Sequence, residues 1–198
     1  DRVQLVFTPS AGSLTLTVSG DVRMEQCEAG SWRSSYIPTA GATVTRAADT
    51  CTLAGTLFNL PQSAGTLYVR NSWDGGTATD ASNRTMIQVD DGTNTERHLI
   101  YNASGLSSGR TTDVNTLQAL VSASGAVVDG VLSRTAYGFA PDDFAVVRDG
   151  GTPVADTLGT LPTTNRLVIG HQLPNGGISE FAFFGSRIAT ATLQALTA

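Results

Sequence analysis

Apolar and polar residues alternate in short bursts along most of this chain, and glycine, asparagine and aspartate stand between the bursts. Val3-Gln4-Leu5-Val6-Phe7 runs into Pro9-Ser10-Ala11-Gly12, a turn signal. Ser13-Leu14-Thr15-Leu16-Thr17-Val18 puts Leu14, Leu16 and Val18 on one face, as a half-buried strand requires. Ser19-Gly20-Asp21 makes a tight connection into a third strand, Asp21–Glu28. Beyond residue 50 the same rhythm predicts strands at Thr66–Arg70, Thr85–Val89, Arg97–Tyr101, Thr116–Ser122 and Ala126–Leu132. It continues at Arg134–Phe139, Phe144–Arg148, Arg166–Gly170 and Gly177–Phe184, with Asp90-Asp91-Gly92 and Asp149-Gly150-Gly151 as turns. Strands at this spacing, with no helical period between them, predict an all-β antiparallel sandwich. One short helix closes the pattern: Thr190 caps Ala191–Leu196, and Leu193 and Leu196 share a face that docks on a sheet edge.

A stretch without alternation divides the chain. In Ser34-Ser35-Tyr36-Ile37-Pro38-Thr39, proline fixes its own φ and pushes Ile37 toward extended geometry, and Gly41 then lets the backbone turn. The expected organisation is terminal strands of a preceding module at 1–28, an extended connector at 29–49 and a complete sandwich at 50–198. Three strands bury too little area to stand alone, so those of 1–28 need partners upstream, on the second block or on a neighbouring subunit.

Composition narrows the partners. The 198 residues include 40% hydrophobic and only 15% charged residues, which fits a globular protein with a modestly charged surface. All 12 basic residues are arginine, and they are scattered. A net charge of −5 argues against nucleic acid and anionic membranes, which need a basic stripe. No apolar run approaches the roughly 20 residues of a membrane span. The chain begins at Asp1 with strand-like residues and shows no signal peptide, as a fragment or processed product would. Cys27 and Cys51 flank the connector; they either staple it as a disulfide or stand as free, buried apolar residues.

Catalytic chemistry finds little support. His98 and His171 are the only histidines, and there is no G-x-S-x-G elbow, so a nucleophilic triad is not expected. Glycoside hydrolysis needs two carboxylates across a cleft, and Glu25, Glu28, Glu96 and Glu180 form no alternating run. The expectation is a protein that is not an enzyme. Asp74, Asp90, Asp91, Asp142 and Asp143 are the loop carboxylates to which a calcium ion could bind; no other cofactor is implied, and a metal site stays unassigned. Sugar recognition needs an aromatic platform with amides and carboxylates beside it. Asn71, Trp73 and Asp74, at a strand end before Gly75-Gly76, are the candidate carbohydrate-binding cluster, with burial of Trp73 at the sandwich edge as the alternative. Asn83-Arg84-Thr85 and Asn102-Ala103-Ser104 match the glycosylation acceptor pattern.

The connector, with Val44-Thr45-Arg46-Ala47-Ala48-Asp49 after it, resembles a segment of phage tail, fibre and other virion proteins that joins lectin-like β-sandwich modules. Residues 1–28 resemble the last strands of a carbohydrate-binding-module-like jelly roll. Residues 50–198 resemble the concanavalin A-like lectin/glucanase superfamily in its laminin-G-like form. The strings behind that likeness are Tyr137–Ala145, Val147–Gly151, Leu161-Pro162 with Arg166–Gly170, and Ile178–Phe184 with Leu193–Thr197. The resemblance implies a concanavalin A-like jelly-roll sandwich in a structural virion protein: a tail fibre, tail tip or capsid decoration. Such a protein would present a lectin-like module for attachment to a host-surface glycan, as a homo-oligomer among other virion proteins and located in the extracellular particle. A carbohydrate-binding module of a secreted bacterial protein is the alternative. At Cys27 and Cys51 the resembling proteins carry aliphatic residues, which favours free thiols.

Overall fold

The computed structural model describes residues 8, 10, 15, 17, 19–21, 23, 25–27, 36–44, 51–58, 60–73, 83–170 and 176–198. The chain divides into two compact units, Asp1–Ala48 and Asp49–Ala198. In the first unit the Gln26 side chain accepts a hydrogen bond from the Ile37 amide at 2.7 Å, and Gly41 takes the left-handed φ of +81° expected of it. The strands expected over 1–28 lie largely outside the described residues.

The second unit is built of strands β1 (Cys51–Ala54), β2 (Gly65–Trp73), β3 (Arg84–Asp90), β4 (Arg97–Ala103), β5 (Leu106–Asp113) and β6 (Thr116–Ser122). They are followed by β7 (Leu132–Ala140), β8 (Asp143–Arg148), β9 (Val154–Asp156), β10 (Arg166–Ile169), β11 (Gly176–Phe184) and helix α1 (Thr190–Thr197). A six-stranded sheet runs β1-β10-β3-β4-β5-β6 and a five-stranded sheet runs β11-β2-β7-β8-β9, every pairing antiparallel. The sheets face each other over a core that includes Leu67, Val69, Trp73, Ile87, Val89, Ile100, Tyr137, Phe139 and Phe144. The all-β antiparallel sandwich with a short C-terminal helix is therefore the fold.

Period-2 alternation explains which side chains reach that core. On β4, Ile100 points inward with His98 and Asn102 at the same parity, so Arg97, Leu99 and Tyr101 take the outer face. On β3 a register shift between Thr85 and Ile87 breaks the alternation. Ile87 pairs with Ile100 and stays inward, whereas Thr85 pairs with Tyr101 and is delivered to the outer face. Met86, the extra residue of this bulge, joins the core.

Three sequence expectations change here. Ala126–Leu132 is not a strand: residues 126–131 form a loop strapped to the sandwich by Val127 N–H to Gly105 O at 2.7 Å and Gly130 N–H to Trp73 O at 2.6 Å. Val127 is buried as in a strand, but the positive φ of Gly125 and Gly130 turns the backbone away from a ladder. Residues Leu106–Asp113 form a full central strand, although serine, threonine and glycine dominate them. The ladders of β4 and β6 on either side supply the order that apolar pattern does not signal. Helix α1 begins at Thr190 with Ala189 at its N-cap and no side-chain cap. It lies on the outer face of the five-stranded sheet instead of its edge, where Leu193 packs with Tyr68, Ala136, Ala145 and Val147. Gln194 Nε2 donates to Gly151 O and Thr197 Oγ1 accepts from Gly150 N–H, tying the helix to the β8–β9 turn.

Both cysteines are exposed, Cys27 in the first unit and Cys51 in the second, which corrects the expectation of burial. Among the described residues no helix is long and apolar enough to cross a membrane.

Candidate functional site

The residues singled out for sugar binding do not make an open platform. Leu67, Val69, Asn71 and Trp73 share one parity of β2, and that parity faces the core. Trp73 is 0% exposed, so neither face of its indole is available to a ligand. Asn71 is buried beside it, opposite Ser133 and Ile178, and its amide atoms have no hydrogen-bond partner among the described residues. Asp74 lies outside the described residues. Extending the β2 alternation past Arg70 to Trp73 is the signal that places the indole inside.

The carboxylates considered for calcium are distributed among other partners. Asp90 is buried; it pairs with Arg166, accepts from Gln88 Nε2 and accepts the Gly92 amide at 2.8 Å. The adjacent Asp91 is partly exposed and organises its own turn, accepting the Thr93 amide and hydroxyl at 2.8 and 2.6 Å. Those hydrogen bonds, the Thr93 hydroxyl foremost, hold its carboxyl below the usual range. Asp142 accepts the Gly159 amide at 2.9 Å and Asp143 pairs with Arg187 at 2.9 Å. No group of three or more His, Cys, Asp or Glu side chains converges among the described residues.

Of the two histidines, His171 lies outside the described residues and His98 is sealed in the core. Its ring stacks on Phe139 at 3.8 Å, and its Nδ1 meets Thr111 Oγ1 at 2.8 Å, which in turn meets Tyr137 Oη at 2.7 Å. Burial holds the imidazole down to about 3 and pushes the Tyr137 phenol up. Asn102, in the second glycosylation pattern, is also buried, whereas Asn83 of the first is exposed.

A hollow of about 300 Å³ opens on the outer face of the six-stranded sheet, and its described lining is Asn83, Thr85, Asn94, Arg97, Leu99, Tyr101 and Arg110. Strand pairing sets most of it. Tyr101 faces Thr85 on one side, and Leu99 faces Arg110 on the other. Leu99 and Tyr101 are buried while the two arginines reach partial exposure, so apolar groups form the floor and guanidinium groups the wall. Thr85 joins only because of the β3 bulge.

The β3–β4 loop supplies Asn94 and is braced at several points. Thr93 and Thr95 hydroxyls meet at 2.7 Å, Asn115 N–H donates to Thr95 O at 3.1 Å, and Glu96 accepts the Val114 amide at 2.7 Å. Asn94 Oδ1 accepts from Arg97 Nη1 at 2.8 Å, and Arg110 Nε donates to Thr112 Oγ1 at 3.2 Å. Burial, followed by the neighbouring Arg110, lowers the Arg97 guanidinium from its ordinary range. Burial pushes the Tyr101 phenol up. The hollow thus offers amide, hydroxyl and guanidinium groups over an apolar floor, and its described lining holds no carboxylate. Sequence pattern marked Asn83 and Thr85 only as part of a glycosylation motif and none of these positions for sugar binding, because their convergence depends on strand order and one bulge.

No protein-family model matches the chain, and no curated protein does. Solved structures do. The chain is similar to the CBM40 of the Ruminococcus gnavus IT-sialidase, solved bound to α2,3-sialyllactose, with a TM-score of 0.57 and 14% identity over 73% of this chain and 87% of that one. It is similar to the binding domain of botulinum neurotoxin serotype G, with a TM-score of 0.58 and 11% identity over 75% of this chain and 40% of that one. Domains LG4-5 of the mouse laminin α1 chain align with a TM-score of 0.52 and 13% identity, covering 71% and 40%. At these identities the likeness is one of fold: the lectin and laminin-G type of β-sandwich.

Proposed function

We propose that this chain is a non-catalytic glycan-binding module and that the hollow on the six-stranded sheet is its sugar site. The observation that carries this is the lining itself: Asn83, Asn94, Thr85, Arg97 and Arg110 converge above Leu99 and Tyr101 on a sheet held rigid by ladders on both sides of β4. Sugar hydroxyls need such directed donors and acceptors, and a pyranose needs an apolar surface for its CH groups. The described lining offers amide, hydroxyl and guanidinium groups, which bind sugars through directed hydrogen bonds. The sialyllactose complex of the R. gnavus CBM40 supports the same reading through its shared fold.

The setting proposed is a phage virion, as tail fibre, tail tip or capsid decoration, assembled with other virion proteins and with copies of itself. It rests on the Ser34–Thr39 and Val44–Asp49 strings, and repetition of a weak sugar site would raise avidity for a host surface. The similarity to a bacterial sialidase's CBM40 favours a second setting, a binding module of a secreted bacterial protein.

A glycan array probed with the whole chain tests the function: at least one glycan class binds, and Asn94→Ala lowers that binding roughly tenfold while the melting temperature stays put, the scale of one lost hydrogen bond. A blank array removes the reading. Mass spectrometry of purified particles against the secreted proteome decides the setting.

A further inference from the structure

The charge inside the hollow points to one class of sugar. Arg97 on β4 and Arg110 on β5 are diagonal neighbours, because Leu99 pairs with Arg110 and Arg97 pairs with Thr112. Neither forms an ion pair among the described residues. The nearest carboxylate by register is Asp90, directly opposite Arg97; its charge offsets part of the repulsion from Arg110, but Asp90 is itself paired with Arg166 and held by Gln88 and the Gly92 amide. Arg97 Nη1 is fixed by Asn94, and its buried Nε has no hydrogen-bond partner among the described residues. Two like charges side by side, one partly desolvated, destabilise each other unless an anion sits between them. The rest of the molecule makes this stand out, since the chain carries a net charge of −5.

We infer that the hollow selects glycans bearing an anion, a carboxylate or a sulfate, which Arg97 and Arg110 hold together while Asn83, Asn94 and Thr85 meet the sugar hydroxyls; this rests on the hollow being the sugar site. A guanidinium presents its donors in a planar fork that matches both anions, and charge-assisted bonds are about twice as strong as neutral ones.

Isothermal titration of the whole chain with 3′-sialyllactose, 3′-sulfolactose and lactose tests it. The expected result is that at least one acidic sugar binds about tenfold or more tighter than lactose, an advantage that shrinks on raising salt from about 50 to about 300 mM. In Arg110→Gln the advantage falls to about threefold or less, with the circular dichroism spectrum unchanged. Preference for the sialylated sugar alone identifies a carboxylate, and preference for the sulfated sugar alone a sulfate. Arg97 is partly buried, so if Arg97→Gln misfolds, Arg110→Gln and the salt series still decide. Lactose binding as tightly as both acidic sugars overturns the inference and leaves the sugar site standing. So does an acidic preference that Arg110→Gln leaves intact. Binding of none of the three, with a blank glycan array, removes the glycan reading and the inference together.

Discussion

His98 shows how one inward position sets a property of the whole protein. In an unfolded chain an imidazole takes up a proton near its ordinary 6.5, whereas this one, stacked on Phe139 and walled off from water, does so only at about 3. Between those values the unfolded state binds more protons than the folded one, so stability falls as pH falls, by up to about 1.4 kcal/mol per unit from this residue. The loss levels off below about 3, where both states are protonated. Urea unfolding of the protein and of His98→Gln between pH 7 and pH 5 should show the steeper slope only with the histidine present. Gly109, on the adjacent strand, lies against the fully buried Tyr137 ring, and any Cβ there would overlap it. Gly109→Ala is expected to cost about 1–3 kcal/mol, as overpacking does, seen as a lower urea midpoint. Trp73→Ala should cost roughly 3–5 kcal/mol by leaving a core cavity. At temperatures where that variant remains folded, glycan affinity should stay within a few-fold of the parent, because the indole faces the core and not the hollow.

At the scale of elements, α1 is a short helix with no side-chain cap, and eight residues are too few to be helical alone in water. Its order comes from Leu193 against Tyr68, Ala136, Ala145 and Val147, and from Thr197 and Gln194 bonded to the Gly150–Gly151 turn. Leu193→Ala is therefore expected to destabilise by about 2–5 kcal/mol and to speed amide exchange throughout 190–197, measurable by hydrogen exchange. Strand β5 makes the opposite case. Nothing in its serine- and threonine-rich pattern marks a strand, yet it lies between β4 and β6 with both its edges paired. One of its polar inward side chains is matched locally, since Thr111 bridges His98 and Tyr137, whereas the buried Ser107 hydroxyl has no hydrogen-bond partner among the described residues. On its outward side Arg110 enters the hollow, so the element least visible in the pattern brings one half of the cationic pair.

At the scale of the molecule, the chain separates into Asp1–Ala48 and Asp49–Ala198, and the second unit holds both sheets, the core and the hollow. A chain limited to residues 49–198 is expected to melt cooperatively, with a midpoint within about 5 °C of the full chain's, as an independent domain of about 150 residues does. A broad, non-cooperative melt of that piece would show that the first unit completes the sandwich.

Alternation by itself determined the sandwich: polar and apolar residues taking turns every second position leave one face of each strand to bury, and two such faces close on each other. The turn residues set where most strands end, as at Asp149-Gly150, both of which adopt positive φ. What alternation cannot express is which strands become neighbours. The order β3-β4-β5 brings Thr85, Tyr101, Leu99 and Arg110 together across three strands, and a single bulge reverses the side on which Thr85 stands. Only the assembled sheet decided those two things, and the hollow depends on both, because it is made by side chains on different strands whose spacing exists only once the hydrogen-bonded ladder has formed.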